Sequence, residues 1–256
     1  MTSVDELARF RSRLYRAYAT EHAGVGGSSA GAAIYRRDFR PLLPPADCGD
    51  VLDLGCGQGE LVRCLLEDGF SAAGIDVSPE QVNLAEAAGI GTVRLGDYRQ
   101  ELRGRAGQLA AVTACDFLEH LTKPEVLEAF DCVAAALRPG GVFVARVPNA
   151  VSPLGGYTRH GDFTHESWFS EHSIRQLAMA AGFGVVQCYP CSPLGIGLAG
   201  RLRVLAWRPV SAALKFALAA ETGVRRGHIV TQNLTFAARK SARSIAPDRH
   251  QPGATP

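Results

Sequence analysis

The sequence predicts a doubly wound α/β fold, in which a mainly parallel sheet is covered by helices on both faces. Two observations predict it. Short apolar runs alternate with helical segments from about residue 50 to residue 189, and the first of these runs ends in three closely spaced glycines, Gly55, Gly57 and Gly59. Such alternation gives parallel strands because each helix carries the chain back to the edge at which the next strand begins.

The apolar runs are expected to form the strands of this sheet. They span residues 50–55, 71–76, 91–97, 109–115, 140–147, 183–189 and 228–238. Helices are expected between them at residues 60–69, 78–89, 123–137 and 171–181. Ser78 predicts a helix start because Pro79 follows it, and Gly69 predicts a helix end. The last run follows a helix and an insertion, so we expect it at an edge of the sheet.

Flanking segments divide the chain into three parts. Residues 1–45 are expected to form an N-terminal helical cap, with helices at residues 3–20 and about 29–43 on either side of a Gly/Ser-rich stretch. Residues 46–240 hold the main domain. The proline-containing tail, residues 241–256, is expected to be disordered.

The composition indicates an ordinary globular protein. Of the 256 residues, 46% are hydrophobic and 20% are charged, and the formal net charge is +2. This near-neutral balance gives no general attraction to nucleic acid, so no nucleic-acid partner is expected. The seven cysteines are an odd number and no signal peptide is visible, so we expect reduced thiols and a cytoplasmic protein. Cys188 and Cys191 lack a second pair, and a zinc site is not expected there.

The glycine spacing excludes one common class of ligand. A dinucleotide-binding loop places its third glycine at the start of the following helix, where this sequence has Glu60. A glutamate there would repel a pyrophosphate, which needs a bare helix N-terminus. The loop still allows the backbone to approach a different ligand closely.

Carboxylates follow three of the expected strands, each suited to a different part of one ligand. Asp53 stands at the end of the first strand and can bind a cationic amine. Asp76 closes the second strand, where an acid can accept two ribose hydroxyls. Asp97 follows the third strand and is placed for an adenine amine. A tight turn alone would explain the glycines but not these acids, so a ligand with an amino-acid end, a ribose and an adenine is expected.

The stretch DFLEHL, residues 116–121, adds two carboxylates and an imidazole just beyond the fourth apolar run. Asp116, Glu119 and His120 are spaced i, i+3 and i+4, so one face of a helical turn would carry all three. Such a face suits a divalent cation, with water or substrate completing the coordination. The alternative is a helix start, since Asp is a good N-cap and Glu suits a first turn. Both interpretations stay open at this point.

A second cluster of ionisable residues lies in the long loop after the fifth apolar run, at residues 159–169. It contains His160, Asp162, His165 and Glu166. Long loops often carry functional residues, and this one is expected to close over the crevice at the strand ends. His165 is the first candidate for a general base or metal ligand, followed by His160 and His120. For His160 and His165 the alternative is an ordinary surface loop histidine.

These motifs stand in the order found in one family. Residues 48–147 resemble the class I S-adenosylmethionine-dependent methyltransferases, through VLDLGCGQGEL, GIDVSPEQV, LGDY, FLEHL and LRPGGVFVARVPN. The resemblance implies a Rossmann-like, seven-stranded sheet that ends in a reversed hairpin. It also implies that the glycine loop lines the methionine end of the cofactor, that Asp76 binds the ribose, and that Asp97 and Tyr98 flank the adenine. The cofactor-binding residues are then Asp53, Gly55, Cys56, Gly57, Gly59, Asp76, Val77, Gly96, Asp97, Tyr98 and Asp116.

The two acid–histidine stretches are similar to motifs of particular O-methyltransferases. DFLEHL is similar to the E-x-x-E-H motif of ubiquinone-biosynthesis enzymes and of small-RNA 3′-end 2′-O-methyltransferases, with Asp116 in place of the first glutamate. Residues 164–166 resemble a T-H-acid tripeptide of the former, and residues 159–162 an R-H-x-D run of the latter. The resemblance implies a divalent cation, Mg or Mn. Its ligands would be Asp116, Glu119, His120 and His165.

Residues 191–227 form an insertion before the last expected strand. Within it, residues 198–220 carry four basic residues among apolar ones: Arg201, Arg203, Arg208 and Lys215. Pro209 separates its two halves, so two amphipathic helices are expected. An acceptor lid, a homodimer face and a peripheral membrane contact through residues 198–220 all fit this composition, as do helices simply packed on the sheet edge.

The motifs predict an S-adenosylmethionine-dependent O-methyltransferase. A sugar-type hydroxyl is a poor nucleophile, so a divalent cation or a histidine base must weaken its hold on the proton. The insertion, with GDFTHE before it and TQNL in the last strand, resembles methyltransferases that modify bacterial polysaccharide or lipid-linked glycans. A sugar hydroxyl of a glycan is therefore the expected acceptor. A catechol or quinone precursor is the alternative acceptor, and a non-catalytic S-adenosylmethionine-binding subunit is the alternative class of protein.

Overall fold

The computed structural model describes residues 11, 13, 14 and 28–242. Within these residues one sheet forms, with strands β1 (Val51–Leu54), β2 (Ala72–Asp76), β3 (Val93–Leu95), β4 (Leu109–Cys115), β5 (Leu137–Pro148), β6 (Phe183–Pro190) and β7 (Asn233–Lys240). Their order across the sheet is β3-β2-β1-β4-β5-β7-β6. Every pairing is parallel except the two that β7 makes. The prediction of a mainly parallel, seven-stranded sheet with a reversed final hairpin is confirmed.

Helices lie between the strands on both faces of the sheet. They are α1 (Ser28–Ile34), α2 (Glu60–Glu67), α3 (Pro79–Ala87), α4 (Tyr98–Arg103), α5 (Lys123–Ala136), α6 (Gly156–His160), α7 (Glu171–Ala180) and α8 (Gly197–Thr222). The chain continues from α1 through a π-helical turn, Tyr35–Phe39, and a 3-10 turn, Arg40–Leu42. The helix expected at residues 29–43 is therefore present with a changing pitch. The helix expected at residues 3–20 and the tail lie largely outside the described residues.

The sheet is buried on both faces because alternate strand residues point to opposite sides. Leu52 and Leu54 of β1 pack in one apolar cluster with α5 and α7, whereas Val51 packs in the other with α2 and α3. Phe130 of α5 anchors the first cluster, and its ring stacks on that of Phe236 in β7 with centroids 5.8 Å apart.

β7 lies inside the sheet, so the prediction that the last strand occupies an edge is wrong. It runs between β5 and β6, and β6 forms the edge instead. Residues 234–238 are all buried. Continuous burial of this kind is typical of a strand that neighbours and helices cover on every side.

β7 also begins later than the expected start at residue 228. The Asn149 amide donates to the carbonyls of Ile229 and Thr231, at 2.8 and 2.9 Å. The Ser152 hydroxyl donates to the carbonyl of Val230 at 3.0 Å. These side chains take backbone groups that a longer strand would direct to its neighbour. Residues 229–231 are thereby fixed to the loop that follows β5.

The insertion forms the single long helix α8, and the prediction of two helices is wrong. Pro209 lies inside it. Proline removes one backbone donor and crowds the carbonyl four residues earlier, here that of Leu205, which usually ends a helix. Pro209 is exposed, so water can take over the hydrogen bond that this carbonyl loses. Within the described residues, no helix combines the length and apolar character needed to cross a membrane.

Strand direction places the functional loops. β1, β2, β4 and β5 run the same way, so the loops leaving their carboxyl ends gather at one edge of the sheet. β6 runs parallel to β5 because each is antiparallel to β7. The insertion therefore leaves from and returns to that same edge.

We expect Phe130→Ala to lower the free energy of unfolding by about 3–5 kcal/mol, because a fully buried ring is replaced by a cavity. Denaturant unfolding followed by circular dichroism measures the loss. Met179→Ala is the control, since that side chain is 72% exposed and its removal should change stability by less than about 0.5 kcal/mol. Equal effects of the two variants would contradict this account of the core.

Candidate active site

A cavity of about 1160 Å³ opens at the carboxyl ends of β1, β2 and β4. All but one of the expected cofactor-binding residues line it: Asp53, Gly55, Cys56, Gly57, Asp76, Val77, Gly96, Asp97, Tyr98 and Asp116. The exception is Gly59, which precedes α2 with a φ of +75°. A Cβ atom on Gly59 would lie 2.9 Å from Cγ2 of Val93. This glycine therefore serves close packing of the helix on the sheet.

Gly55 makes room for an aromatic wall of the cavity. Its φ is +60°, and a Cβ atom there would lie only 2.5 Å from Cδ2 of Phe117. The Phe117 ring lines the cavity and meets the Tyr98 ring edge-on, with centroids 5.2 Å apart. Sequence reasoning missed Phe117 because no local pattern marks a ring that folds back over the glycine loop.

Asp76 joins two loops of the cavity. One carboxylate oxygen accepts the Gly57 N–H and the other accepts the Ser78 N–H, each at 2.8 Å. Burial raises the pKa of Asp76, and these backbone hydrogen bonds oppose that effect. A carboxylate has about four acceptor sites, so lone pairs are left for ligand hydroxyls.

Asp53 is the most deeply buried acid of the cavity, with 1% of its surface exposed. Its Oδ1 accepts a hydrogen bond from the Thr113 hydroxyl at 2.7 Å. Burial raises the pKa of Asp53 to about 7; the Thr113 hydrogen bond opposes the rise, and the charge of Asp76 adds to it. A cationic amine beside Asp53 would stabilise its ionised form.

Asp97 caps the helix that carries Tyr98. Its Oδ1 accepts the Arg99 N–H at 2.7 Å, and its Oδ2 lies 3.1 Å from Nη1 of Arg99. The expected adenine side of the cavity thus combines a helix cap with the edge of a buried ring.

Gln81 and Arg11 also line the cavity, and sequence reasoning missed both. The Oε1 atom of Gln81 is buried with no hydrogen-bond partner among the described residues. Gln81 lies three residues after the N-cap Ser78, so the two side chains face the same loop. This spacing is the sequence signal that could have predicted the position of Gln81.

Arg11 donates to both carboxylate oxygens of Glu125 at 2.6 and 2.7 Å and to the His120 carbonyl at 2.9 Å. No local pattern links residues 114 positions apart.

Asp116 does not share a helical face with Glu119 and His120, so that prediction is wrong. It has a φ of +53° and precedes a 3-10 turn, Leu118–His120, of which it is not the N-cap. Its carboxylate instead pairs with Arg146 of β5. Asp116 remains on the cavity wall, outside the group of ligand atoms that the expected metal site would need.

Glu119, His120 and His165 do come together. One ligand atom of each lies within 4.8 Å of those of the other two, and the two imidazole centroids are 4.9 Å apart. Glu119 is 1% exposed, and its Oε2 is buried without a hydrogen-bond partner among the described residues. A buried carboxylate oxygen without a partner is costly, so a proton or a cation is the expected occupant of this position.

Hydrogen bonds orient both imidazoles. Nδ1 of His165 lies 2.9 Å from the Thr158 carbonyl. A carbonyl only accepts, so Nδ1 carries the proton and the neutral ring keeps its lone pair on Nε2. Nδ1 of His120 lies 2.8 Å from Oγ1 of Thr164, whose own proton goes to Asp162 at 2.6 Å. His120 therefore donates to Thr164.

Burial also shifts the protonation of this cluster. Burial raises the pKa of Glu119 well above its usual value, and the charge of Asp116 adds to the rise. Burial and the neighbouring His165 lower the pKa of His120 to about 4. His120 is then neutral near pH 7, the form in which imidazole binds metals.

The loop after β5 is held against this turn by backbone hydrogen bonds. The N–H groups of Glu166 and Ser167 both donate to the Glu119 carbonyl, at 2.7 and 3.0 Å. The Ser167 hydroxyl donates to the Leu121 carbonyl at 2.7 Å. His165 is thereby fixed beside Glu119.

Other sequence candidates lie apart from the cluster. His160 ends α6, is exposed, and packs beside Trp168 with ring centroids 6.0 Å apart. Cys191 Sγ lies 3.1 Å from Oγ1 of Thr235, whereas Cys188 packs against the first apolar cluster. The structure brings neither His160 nor this cysteine pair to the cavity.

Comparison with known proteins assigns a family to this architecture. Residues 29–188 match the family model described as a methyltransferase domain, which is more than half of the chain. The match spans β1 to β5, the Glu119–His120–His165 cluster and every residue named as lining the cavity except Arg11. The chain therefore belongs to the methyltransferase-domain family, and its strand order and reversed hairpin are those of the class I S-adenosylmethionine-dependent members.

Curated relatives match part of the chain. The candidate methyltransferase YqeM of Bacillus subtilis is 38% identical over 101 residues, which cover 38% of this chain and 41% of that protein. A ubiquinone biosynthesis O-methyltransferase of Xylella fastidiosa is 30% identical over 118 residues, which cover 44% of this chain and 47% of the relative. The chain thus spans less than half the length of these curated relatives.

Solved structures share the fold at low identity. A methyltransferase from Archaeoglobus fulgidus, described as dependent on S-adenosylmethionine, has a TM-score of 0.66 and 19% identity, covering 87% of this chain and 99% of that one. Phosphoethanolamine N-methyltransferase 2 of Haemonchus contortus, solved with S-adenosylmethionine, has a TM-score of 0.58 and 17% identity, covering 89% and 60%. Structural similarity at identities this low shows a shared fold only.

The cofactor of this family fits the residues of the cavity. Asp53 would hold the amine of S-adenosylmethionine and Asp76 the ribose hydroxyls, while Tyr98 and Phe117 would bound the adenine. The buried Oε1 of Gln81, which has no hydrogen-bond partner among the described residues, supplies one more acceptor at the same wall.

We expect Asp76→Ala to weaken S-adenosylmethionine binding by about 1–3 kcal/mol, because charge-assisted hydrogen bonds to the ribose are lost. Isothermal titration calorimetry measures the affinity, and thermal unfolding checks that the variant is folded. Asp131→Ala, on the exposed side of α5, is the matched control. Unchanged affinity in a folded Asp76→Ala protein would refute this placement of the ribose.

Cofactor affinity should also depend on pH through Asp53. In the free protein its pKa is about 7, and a bound ammonium favours the carboxylate. Affinity is therefore full above that pH and falls as the pH drops below it, toward a limit of about tenfold per unit. Calorimetry between about pH 5.5 and 8 measures the slope. Asp53→Asn should bind more weakly and lose the slope; an unchanged slope in this variant would assign the titration to another group.

Proposed function

We propose that this protein transfers the methyl group of S-adenosylmethionine to a hydroxyl oxygen of its acceptor. The observation that carries the proposal is the convergence of Glu119, His120 and His165 beside the cofactor cavity, to which His120 contributes a wall. The sulfonium is already a reactive methyl donor, so the protein has to align the acceptor and weaken its O–H bond.

A divalent cation fits the cluster. Two imidazole nitrogens and one carboxylate oxygen form a donor set that divalent cations accept, and the buried Glu119 Oε2 lacks any other partner among the described residues. Of Mg and Mn, Mn suits imidazole ligands better because it is the softer ion. Such a cation would supply a Lewis acid that lowers the pKa of a bound hydroxyl.

His165 has a role with or without a cation. Its Nδ1–H is anchored on the Thr158 carbonyl, so its Nε2 presents a lone pair. That lone pair can act as a ligand, or it can take the hydroxyl proton as a general base. Thr164 and Asp162 hold His120 through its Nδ1 and so keep the turn in place.

We propose a sugar hydroxyl of a glycan or polysaccharide as the acceptor. Support comes from the sequence arrangement of GDFTHE, the insertion and TQNL, which resembles that of glycan-modifying methyltransferases. Vicinal sugar hydroxyls could also share one cation, and this would select diols over isolated alcohols.

A catechol or quinone precursor is the second candidate acceptor. The ubiquinone biosynthesis O-methyltransferases among the relatives favour it, although the matched segment covers less than half of the length of each. Catechol hydroxyls are vicinal and more acidic than sugar hydroxyls, so the same cluster would serve them. Screening activated sugars, glycans and catechols with methyl-labelled cofactor separates the two classes. Cofactor binding without turnover on any acceptor would favour a non-catalytic subunit.

We expect a chelator to abolish methyl transfer while leaving cofactor affinity unchanged, and added Mn or Mg to restore activity. Glu119→Gln and His165→Ala should each lower kcat by about 10²–10⁴-fold, the range for losing acid–base or metal-assisted activation. Glu86→Gln is the matched control, because that side chain is exposed on α3 and belongs to neither acid–histidine stretch.

The outcomes separate the two roles of the cluster. Activity that survives the chelator but not His165→Ala would assign a base and exclude the cation. Full activity in both Glu119→Gln and His165→Ala would reduce the cluster to a structural turn and overturn the proposal.

A further inference from the structure

Helix α8 has two sides that differ in exposure. The helix contains 26 residues, about 39 Å of length. The less exposed side is built from residues three or four apart that are buried or half-buried: Gly200, Val204, Trp207, Ser211, Leu214 and Leu218.

The opposite side of α8 carries apolar residues that face solvent. We call Leu198, Leu202, Leu205 and Phe216 the outer stripe. Their exposed fractions are 76%, 58%, 54% and 76%. Their spacings of three, four, seven and eleven residues place them on one face. The outward face of a helix on a globular protein is normally polar, so an apolar stripe there marks an interaction surface.

A row of cations borders the outer stripe. Arg201, Arg208 and Lys215 are seven residues apart, so they line up along one side of it. Within the described chain these three side chains enter no ion pair. Glu221 is the single acid from residue 172 to residue 247. The surface is therefore apolar along its centre and positively charged along its border.

We propose that the outer stripe and its row of cations dock the protein on an anionic phospholipid surface, with α8 lying in the plane of the headgroups. The apolar side chains would enter the boundary between headgroups and acyl chains, and the cations would meet lipid phosphates. α8 contains four basic residues and a proline, a composition that suits a helix lying on a bilayer.

Charge favours a lipid surface over a second copy of the chain. A two-fold pairing of outer stripes would bring together two helices of like net charge, each with four basic residues and one acid, Glu221. An anionic bilayer offers the complementary charge along the whole length of the helix.

Docking through α8 would also orient the active site. The insertion leaves β6 and returns to β7 at the sheet edge that carries the cavity. Asn149 and Ser152, at the start of the His165 loop, hold residues 229–231 after the helix. The docked helix and the cofactor cavity would thus belong to the same edge of the sheet. The docking proposal requires no particular acceptor and stands whether or not the proposed methyl transfer does.

Vesicle co-sedimentation of the full chain tests the proposal. We expect binding to vesicles of equal parts phosphatidylglycerol and phosphatidylcholine, falling as salt is added, and little binding to phosphatidylcholine alone. Arg201→Gln/Arg208→Gln/Lys215→Gln should lower the partition coefficient by about 100-fold, at roughly fivefold for each cation removed. Leu202→Glu/Phe216→Glu should abolish binding.

Controls keep the test decisive. Leu127→Glu/Met179→Glu alters two exposed apolar side chains on α5 and α7 and should bind vesicles as the unaltered protein does. Unchanged S-adenosylmethionine affinity shows that each variant is folded. The salt titration uses the unaltered protein, so its result does not depend on the folding of any variant. Absence of binding to the anionic vesicles would overturn the proposal. So would a concentration-dependent dimer that Leu202→Glu/Phe216→Glu abolishes, because the stripe would then be a subunit interface.

Discussion

The carboxylate of Asp76 is the interaction on which the cofactor cavity depends. It accepts one N–H from the loop after β1 and another from the start of α3, at Gly57 and Ser78. Two neighbouring strand-end loops are therefore held at a fixed distance by a single side chain. Acceptor positions are left over on a side chain that is already held in place, so little has to be ordered there when a ligand arrives. Gly55 also preserves the shape of the cavity, because a side chain at this position would displace the Phe117 ring from the cavity wall.

The second half of the site is assembled by backbone groups more than by apolar packing. The His165 loop contacts the turn after β4 through backbone N–H groups that donate to the Glu119 carbonyl. The Ser167 hydroxyl adds a hydrogen bond to the Leu121 carbonyl. The buried carboxyl of Glu119 is the destabilising element of the arrangement. A fold retains such a group where its charge has a use, since an apolar residue of similar size would be more stable there.

The strand-end acids could be predicted from the sequence because parallel strands must end at one edge, whatever their side chains do. Asp53, Asp76 and Asp97 all line the cavity for that reason. The turn at Asp116 could not be predicted, because the i, i+3, i+4 rule assumes a continuous helix. Asp116 instead has a left-handed backbone conformation, and its carboxylate pairs with Arg146, 30 residues away. The inner position of β7 was missed for a similar reason: local sequence gives the period of a strand, whereas its neighbours are chosen by long-range pairing.

The inner position of β7 has a consequence for synthesis of the chain. A ribosome delivers β5 and β6 well before β7, and β6 joins the sheet only through β7. Until Lys240 has emerged, both strands therefore present bare hydrogen-bonding edges, while α8 adds its own exposed apolar side. Unpaired edges recruit strands from other chains. The chain is then most prone to aggregate between the emergence of β6 from the ribosome and that of β7, and chaperone occupancy should peak in that interval.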